Sequence, residues 1–243
     1  VFRLAWGITG AGHFMRETLE VFLQLKKEFK VAVTVFLSRA GEEVARMYGV
    51  FRELGTIAPG GYYQEVVLER EEGASFPKAG RFASGKYSAF IVSPATSNTV
   101  AKMAFGICDT LITTAFAQAI KSGVPVYVVP TDYDEGEVET TLPVFVDRDV
   151  CLGCALCLPE EKCPNTAFVR VEGKPIVNLL KCVGCFLCVN ECPYRAVVFG
   201  RRVKTRVRRV DAENVKRLSE MDGVRVLKHP QEITLYLRRD LGF

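Results

Sequence analysis

The sequence predicts an α/β protein: a doubly wound parallel sheet with a small α+β segment inserted late in the chain. Three observations carry that prediction. Short β-branched runs alternate with segments whose apolar residues recur at helical spacing, the pattern of βα units around a parallel sheet. A cysteine-rich layout then appears twice, as "CLGCALCLPEEKCPN" from Cys151 and "CVGCFLCVNECPY" from Cys182. Past it, helix and strand signals resume, so the tail is expected to return to the sheet.

Residues 3–9, "RLAWGIT", read as a strand entering the glycine turn "GAGH", then a helix with Met15, Leu19, Phe22 and Leu23 at helical spacing. The run "KVAVTVFL" (30–37) is almost continuously apolar and β-branched, as a buried parallel strand requires. Ser38 is the N-cap of a short helix, "SRAGEEVARMYG", that Gly49 ends. After a loop-rich stretch, "YSAFIVSP" (87–94) is a third strand, two helical segments fill 96–122, and "VPVYVVP" (124–130) is a fourth. That βαβα order is Rossmann- or flavodoxin-like. Beyond the insertion, "DAENVKRLSEMDG" (211–223) reads as a capped helix with Val215, Leu218 and Met221 inward, and "VRVLKH" as one more strand. The expected division is 1–143, 144–200 for the inserted module, and 201–243 as a strand-helix-strand tail rejoining the first part.

Three thiolates at C-x2-C-x2-C spacing wrap one four-iron cube, and a remote Cys-Pro cysteine completes the shell. The doubled pattern therefore predicts two [4Fe-4S] clusters in a bacterial-type ferredoxin module. With the fourth ligands crossing over, Cys151, Cys154 and Cys157 pair with Cys192, and Cys182, Cys185 and Cys188 with Cys163. Structural zinc prefers two ligand pairs, and disulfides belong mainly to small secreted domains, so both fit poorly. One irregularity is visible: five residues separate Cys157 from Cys163, against three between Cys188 and Cys192.

At 243 residues and 49% hydrophobic, the chain has enough apolar material for one ordinary domain plus a small one. No apolar run approaches the roughly 20 residues of a membrane span, and "VFRLAWGITG" shows no leader pattern; the expectation is a cytoplasmic protein without a membrane partner. Net charge is only +4, although six of nine residues in "RRVKTRVRR" (201–209) are basic. With period two, Arg202, Lys204, Arg206 and Arg208 share one face, and Val203, Thr205 and Val207 the other. That is a half-buried strand with a solvated basic face. It suits an acidic redox partner or an anionic substrate tail better than nucleic acid, because no aromatic platform is interleaved.

Iron-sulfur cubes pass single electrons, whereas most organic reductions need two, so a flavin is the expected converter, bound outside the carboxyl ends of the strands. Gly7, Gly10 and Gly12 of "WGITGAGH" let backbone N–H groups approach a phosphate, although an ordinary tight turn explains them equally well. Ser38 and Arg39 stand at a second anion-friendly helix start.

The stretch "SPATSNTVAKMAFGICDTLITTAFAQA", from Ser93 to Ala119, resembles the homo-oligomeric flavin-containing cysteine decarboxylase family, with its P-A-x-x-N-T turn and G-x-x-D-x-L-(L/V)-T helix start. The opening "LAWGITGAGH" looks most like archaeal flavoproteins and flavin-containing dihydromethanopterin reductases, some of which carry a ferredoxin module. The resemblance implies FMN bound between protomers of a trimer-based homo-oligomer, in some members a larger cage. It implies that Gly10, Ala11 and Gly12 line the FMN site and that Ser38, helped by Arg39, binds the phosphate. Ser93, Ala95, Thr96, Ser97, Asn98 and Thr99 would follow the ribityl chain and ring, with Asp109, Leu111 and Thr113 approaching from a helix start. Thr110 stands where the decarboxylases commonly have Asn, which argues against their chemistry.

The expectation is then an iron-sulfur flavoprotein that takes electrons from a protein donor such as reduced ferredoxin, through two clusters to FMN, and reduces 7,8-dihydromethanopterin. The alternatives are an electron-transfer adaptor without a small substrate and, less suited to an electron inlet, a flavin-dependent decarboxylase or prenyltransferase. A roomy pocket on the flavin face would favour the first over the second. His13 is a weak candidate proton donor, with helix-start packing the blander role. Cys108, in an apolar stretch, is expected to be inert core, as is Trp6; Tyr62 or Tyr63 would lie over a flat ring or anchor a loop, and His229 marks a turn.

Overall fold

The computed structural model describes residues 1–242. The first half runs β1 (Phe2–Ile8), α1 (Met15–Glu28), β2 (Val31–Leu37), α2 (Arg39–Met47), α3 (Leu54–Ile57), β3 (Val66–Leu68), β4 (Ala89–Ala95), α4 (Ser97–Ala104), α5 (Leu111–Lys121) and β5 (Val126–Pro130). The cysteine-rich part follows as β6 (Gly136–Thr141), β7 (Phe145–Val146), α6 (Leu158–Glu161), β8 (Phe168–Val171), β9 (Lys174–Val177), α7 (Leu187–Glu191), β10 (Val197–Val198) and β11 (Arg202–Val207). The tail is α8 (Arg209–Ser219), β12 (Val224–Val226) and α9 (Glu232–Leu241).

Six strands form one sheet in the order β3-β2-β1-β4-β5-β12, with every pairing parallel. Alternation along β1 sends Leu4, Trp6 and Ile8 into one core and Ala5 into the other. On the first face α1 and α9 cover the sheet; the Trp6 indole stacks on Phe22 with ring centres 4.2 Å apart and donates to the Ser93 carbonyl at 2.7 Å. On the second face Phe36, Phe82, Phe90, Ile112 and Phe116 pack together, joined by Val215 and Leu218 of α8. The tail thus contributes a strand to the sheet and a helix to each face.

The insertion leaves the sheet after β5 and returns through β12. Its stem is the antiparallel pair β6 and β11, in which Arg202 meets Glu139 and Lys204 meets Glu137. Half of the basic face is therefore answered by acid on the adjoining strand. Such exposed pairs contribute roughly 0–1 kcal/mol each, so they specify pairing more than they stabilise it. Above the stem, Val144, Val146, Cys151, Phe168, Ala196 and Val197 form a small separate core.

The structure departs from the sequence expectations at several points. The stretch between Gly49 and Tyr87 contains α3 and the edge strand β3, which is three residues long and too short to show periodicity. Strand β6 was also unanticipated. The helix expected over 211–223 begins two residues earlier and ends at Ser219, leaving Met221 beyond it, and the tail closes with α9 rather than with a strand. Cys108 is exposed, not core: Gly106, with φ of 71°, ends the α4 turn and puts residues 107–109 on a surface loop. Trp6 is fully buried, as is Tyr63, whereas Tyr62 is 68% exposed. Among the described residues no helix is long and apolar enough to cross a membrane.

Candidate functional site

The sheet order reverses between β1 and β4, and in sheets of this kind ligands bind outside the carboxyl ends of the strands at such a switch point. The Thr9 hydroxyl ties the loops that follow these two strands together: it donates to the Pro94 carbonyl at 2.8 Å and accepts the Thr96 N–H at 2.9 Å. Two helices begin beside this junction. Ser38 caps α2 by accepting the Gly41 N–H at 2.9 Å, and Thr96 caps α4 by accepting the Thr99 N–H at 3.3 Å. The positive ends of both helices therefore lie near the glycine turn, an arrangement suited to a phosphate.

Crowding, not backbone angle, explains the turn glycines. A Cβ on Gly10 would stand 2.6 Å from the Ala40 Cβ, and one on Gly12 would stand 2.2 Å from the Tyr48 ring. Gly41 is equally confined, with the Ile8 carbonyl 2.3 Å from where its Cβ would be. The first turn of α2 is thereby drawn hard against the end of β1.

Gly10, Ala11, Gly12, Ser38, Thr96 and Ser97 are partly open at this junction; Asn98 and Arg39 are exposed, and Thr99 is nearly enclosed. Asp109 is exposed and held by Lys102 at 2.8 Å. Ser93, Ala95, Leu111 and Thr113 are fully enclosed by the chain itself. The Ser93 hydroxyl bonds that of Thr18 at 2.7 Å, and Thr113 shares reciprocal bonds with Thr110 at the start of α5. Thr9 was missed; its signal was a lone threonine at the carboxyl end of a strand, immediately before the turn.

Beside the turn lies a cavity of about 520 Å³ whose walls include Gly12, His13, Arg16, Tyr48, Thr141 and Phe199. It is bounded by both the sheet domain and the insertion. Burial lowers the His13 imidazole below its ordinary range, against the opposite pull of Glu17 and Asp132. The ring sits 3.8 Å from Phe14, which in turn meets His229 edge-on at 4.9 Å, so the tail closes over this end of α1.

The eight clustered cysteines divide into two sets of four. Cys151, Cys154, Cys157 and Cys192 line one cavity of about 360 Å³, and Cys163, Cys182, Cys185 and Cys188 line a second, tighter one. Each set joins a triplet to the remote cysteine of the other half. The sulfurs line cavities rather than converging on a point: among the described residues, no three His, Cys, Asp or Glu side chains gather closely enough to hold a single metal ion. All are free thiols. Burial pushes the Cys157 and Cys182 thiols up and Cys188 up to about 11. The protein alone thus disfavours the thiolates, and bound iron would reverse that by holding sulfur deprotonated. Backbone N–H groups of Ala167 and Ala196 already donate to Cys163 and Cys192 at 3.3 and 3.4 Å. Donor type, number and grouping fit two four-iron cubes.

The flavoprotein family model matches residues 1–133. The chain belongs to the flavoprotein family. Over 233 residues this flavoprotein is 46% identical to a dihydromethanopterin reductase (acceptor) of Methanosarcina mazei, covering 95% of this chain and 97% of that one. It also resembles the crystal structure of Burkholderia xenovorans DmrB in complex with FMN, described as a cubic protein cage for redox transfer. There the TM-score is 0.62 at 26% identity, over 99% of this chain and 96% of that one. A shorter match, 34% identical over 70 residues, is to the iron-sulfur component of a dimethyl sulfoxide reductase from Halobacterium salinarum, covering 28% of this chain and 27% of that one.

Proposed function

We propose that this flavoprotein reduces 7,8-dihydromethanopterin to the tetrahydro form, using FMN and two [4Fe-4S] clusters to accept electrons from a protein donor such as reduced ferredoxin. The observation that carries the reading is the coexistence, in one chain, of a flavoprotein-family parallel sheet with its switch point and two four-cysteine cavities, with 46% identity to a reductase of that name along nearly its whole length. When bound, the cubes would supply one-electron transfer and FMN a two-electron hydride donor.

The chain's own residues have separable roles. Ser38 and the backbone of Gly10 to Gly12 would receive the FMN phosphate at the α2 start, with Arg39 adding charge, while Thr96, Ser97 and Asn98 face the ribityl chain and ring. Thr9 holds those two segments in register. The eight cysteines would hold the clusters in the crossed sets that line the two cavities. His13, whose imidazole pKa is lowered from its ordinary value by burial, stands at a cavity large enough for a bicyclic heterocycle, which favours a small acceptor over a pure adaptor role. The chain would work in the cytoplasm as a homo-oligomer built on trimers, in keeping with the cage described for DmrB.

The test is anaerobic. Purified protein should carry FMN and about eight iron atoms per chain. It should consume two equivalents of a reduced one-electron donor for each dihydropterin reduced, since the reduction takes up two electrons and two protons. Donor oxidation without pterin reduction would instead establish the adaptor.

A further inference from the structure

The two four-cysteine sites are not equivalent in their relation to the flavin turn. The loop of the second triplet touches the sheet domain directly. Gly184, between Cys182 and Cys185, lies so near Gly49 at the end of α2 that a Cβ on Gly184 would be 2.3 Å from the Gly49 nitrogen. In reverse, a Cβ on Gly49 would be 2.6 Å from the Gly184 carbonyl oxygen and 3.0 Å from the Phe186 ring. Two glycines in left-handed conformation thus press backbone to backbone across the domain boundary, with φ of 72° and 57°.

A run of aromatic contacts starts at the same place. Phe186 lines the cavity of Cys163, Cys182, Cys185 and Cys188 and packs on Phe199 with ring centres 4.2 Å apart. Phe199 lies 6.0 Å from Tyr48, and the Tyr48 ring covers Gly12 of the turn. The Tyr48 hydroxyl donates to the Thr141 carbonyl at 2.6 Å, which fixes the ring between stem and turn. The first triplet has contacts of a different kind, all within the insertion. Arg170 donates to the carbonyls of Cys154 and Ala155 at 3.1 and 3.3 Å, and a Cβ on Gly153 would meet the Gly173 carbonyl at 3.3 Å. Its cavity is edged by Leu152 and Leu156, which are 65% and 63% exposed.

We infer that the Cys163, Cys182, Cys185 and Cys188 site is the inner one, facing the flavin turn, and that the Gly49–Gly184 contact with Phe186, Phe199 and Tyr48 sets its distance from that turn. The Cys151, Cys154, Cys157 and Cys192 site is the outer one, open to an incoming donor. This rests on the reading proposed above. Gly49, Gly184, Phe186, Phe199 and Tyr48 are positioning residues: their packing leaves no slack between the inner site and the glycine turn.

Low-temperature EPR of the anaerobic, partly reduced holoprotein tests the assignment, because a nearby reduced cube speeds spin relaxation of the flavin radical. Cys154→Ala, which keeps the inner site, should leave the microwave power at half-saturation close to the parent value. Cys185→Ala, which keeps the outer site, should lower it several-fold. Gly49→Ala forces the Gly184 loop outward without altering a cysteine and should also lower it. Gly123→Ala imposes the same left-handed strain, with φ of 67° and no neighbouring atom, and should not. Reversed order in the cysteine variants, or equal values for the two glycine variants with iron and FMN retained, would overturn the inference. If a cysteine variant loses both cubes, the glycine pair still decides. Absence of FMN or iron from the parent protein would instead sink the reading on which the inference rests.

Discussion

Replacing Thr9 with valine should weaken the junction between the loops that follow β1 and β4 while leaving the shape of the core almost intact. Thr9 is 1% exposed, and its hydroxyl is the partner of the Thr96 N–H, at 2.9 Å. The Pro94 carbonyl, 2.8 Å from that hydroxyl, keeps a second bond from the Thr9 N–H at 3.3 Å, so the main loss is the partner of one half-buried donor, the Thr96 N–H. A fully buried polar group without a partner costs about 1–3 kcal/mol, and a half-buried one falls at the low end, about 1 kcal/mol. With a urea slope of about 2 kcal/mol/M, that moves the unfolding midpoint down by about 0.5 M. Trp6 is the only tryptophan and is fully buried on the same strand, so its fluorescence reports this region directly. FMN affinity, measured by titration of the flavin-stripped protein, should fall in parallel, because Thr96 no longer holds the second loop in register with the first. Thr9→Ser keeps the hydroxyl and should recover most of both losses. A valine variant as stable as the serine variant, with equal FMN affinity, would refute the assignment of Thr9 as the tie.

Cys163→Ala should remove the iron-sulfur signal that depends on Cys182, Cys185 and Cys188, and Cys192→Ala the other; loss in the opposite order in EPR spectra would show that the fourth ligands do not cross. Ser38→Asp should release FMN while the brown iron-sulfur absorbance persists, since aspartate still caps α2 but sets a negative charge against a phosphate; unchanged flavin content would place the phosphate elsewhere. Burial lowers the His13 pKa, so the folded state binds its proton less readily than the unfolded state does. That contribution to stability is present above the unfolded value near 6.5 and is lost as pH falls from there through the folded value. Thermal melts should therefore show a steeper decline below about pH 6.5 in the parent than in His13→Gln, and identical slopes would remove His13 from the account.

The sheet was legible because its strands are buried on both faces and so carry long apolar runs, as in Val31–Leu37, where every residue is buried. The cysteine triplets were legible because their spacing is local. Pairings across long separations were not: nothing in "GEVETT" announces that it runs beside residues 202–207, and its alternation is as compatible with a loop as with a strand. In the tail the strand expected in "VRVLKH" is there as β12, but α9 was missed because its Ile233 and Leu237 spacing comes in a segment of only ten residues interrupted by charge. At the candidate site, the family resemblance named segments that the structure brings together after β1, β2 and β4, but not which of their atoms reach the surface. Ser93 is enclosed where its hydroxyl ties β4 to Thr18 of α1, Leu111 in the second core and Thr113 where it closes the reciprocal cap of α5, facts of packing that no motif encodes.

The β6–β11 stem has a consequence for how the chain folds. β12 must find β5 with the whole insertion between them, and β12 is the last strand to be synthesised. Left open, that gap would make edge closure the slow, high-entropy event of folding. Once β6 and β11 zip together, only the short segment from β5 to β6 and the α8 hairpin remain to be ordered, and β12 is delivered to its neighbour almost by default. The insertion's stem thus assists assembly of the sheet that carries it, by bringing the sixth strand close to its neighbour.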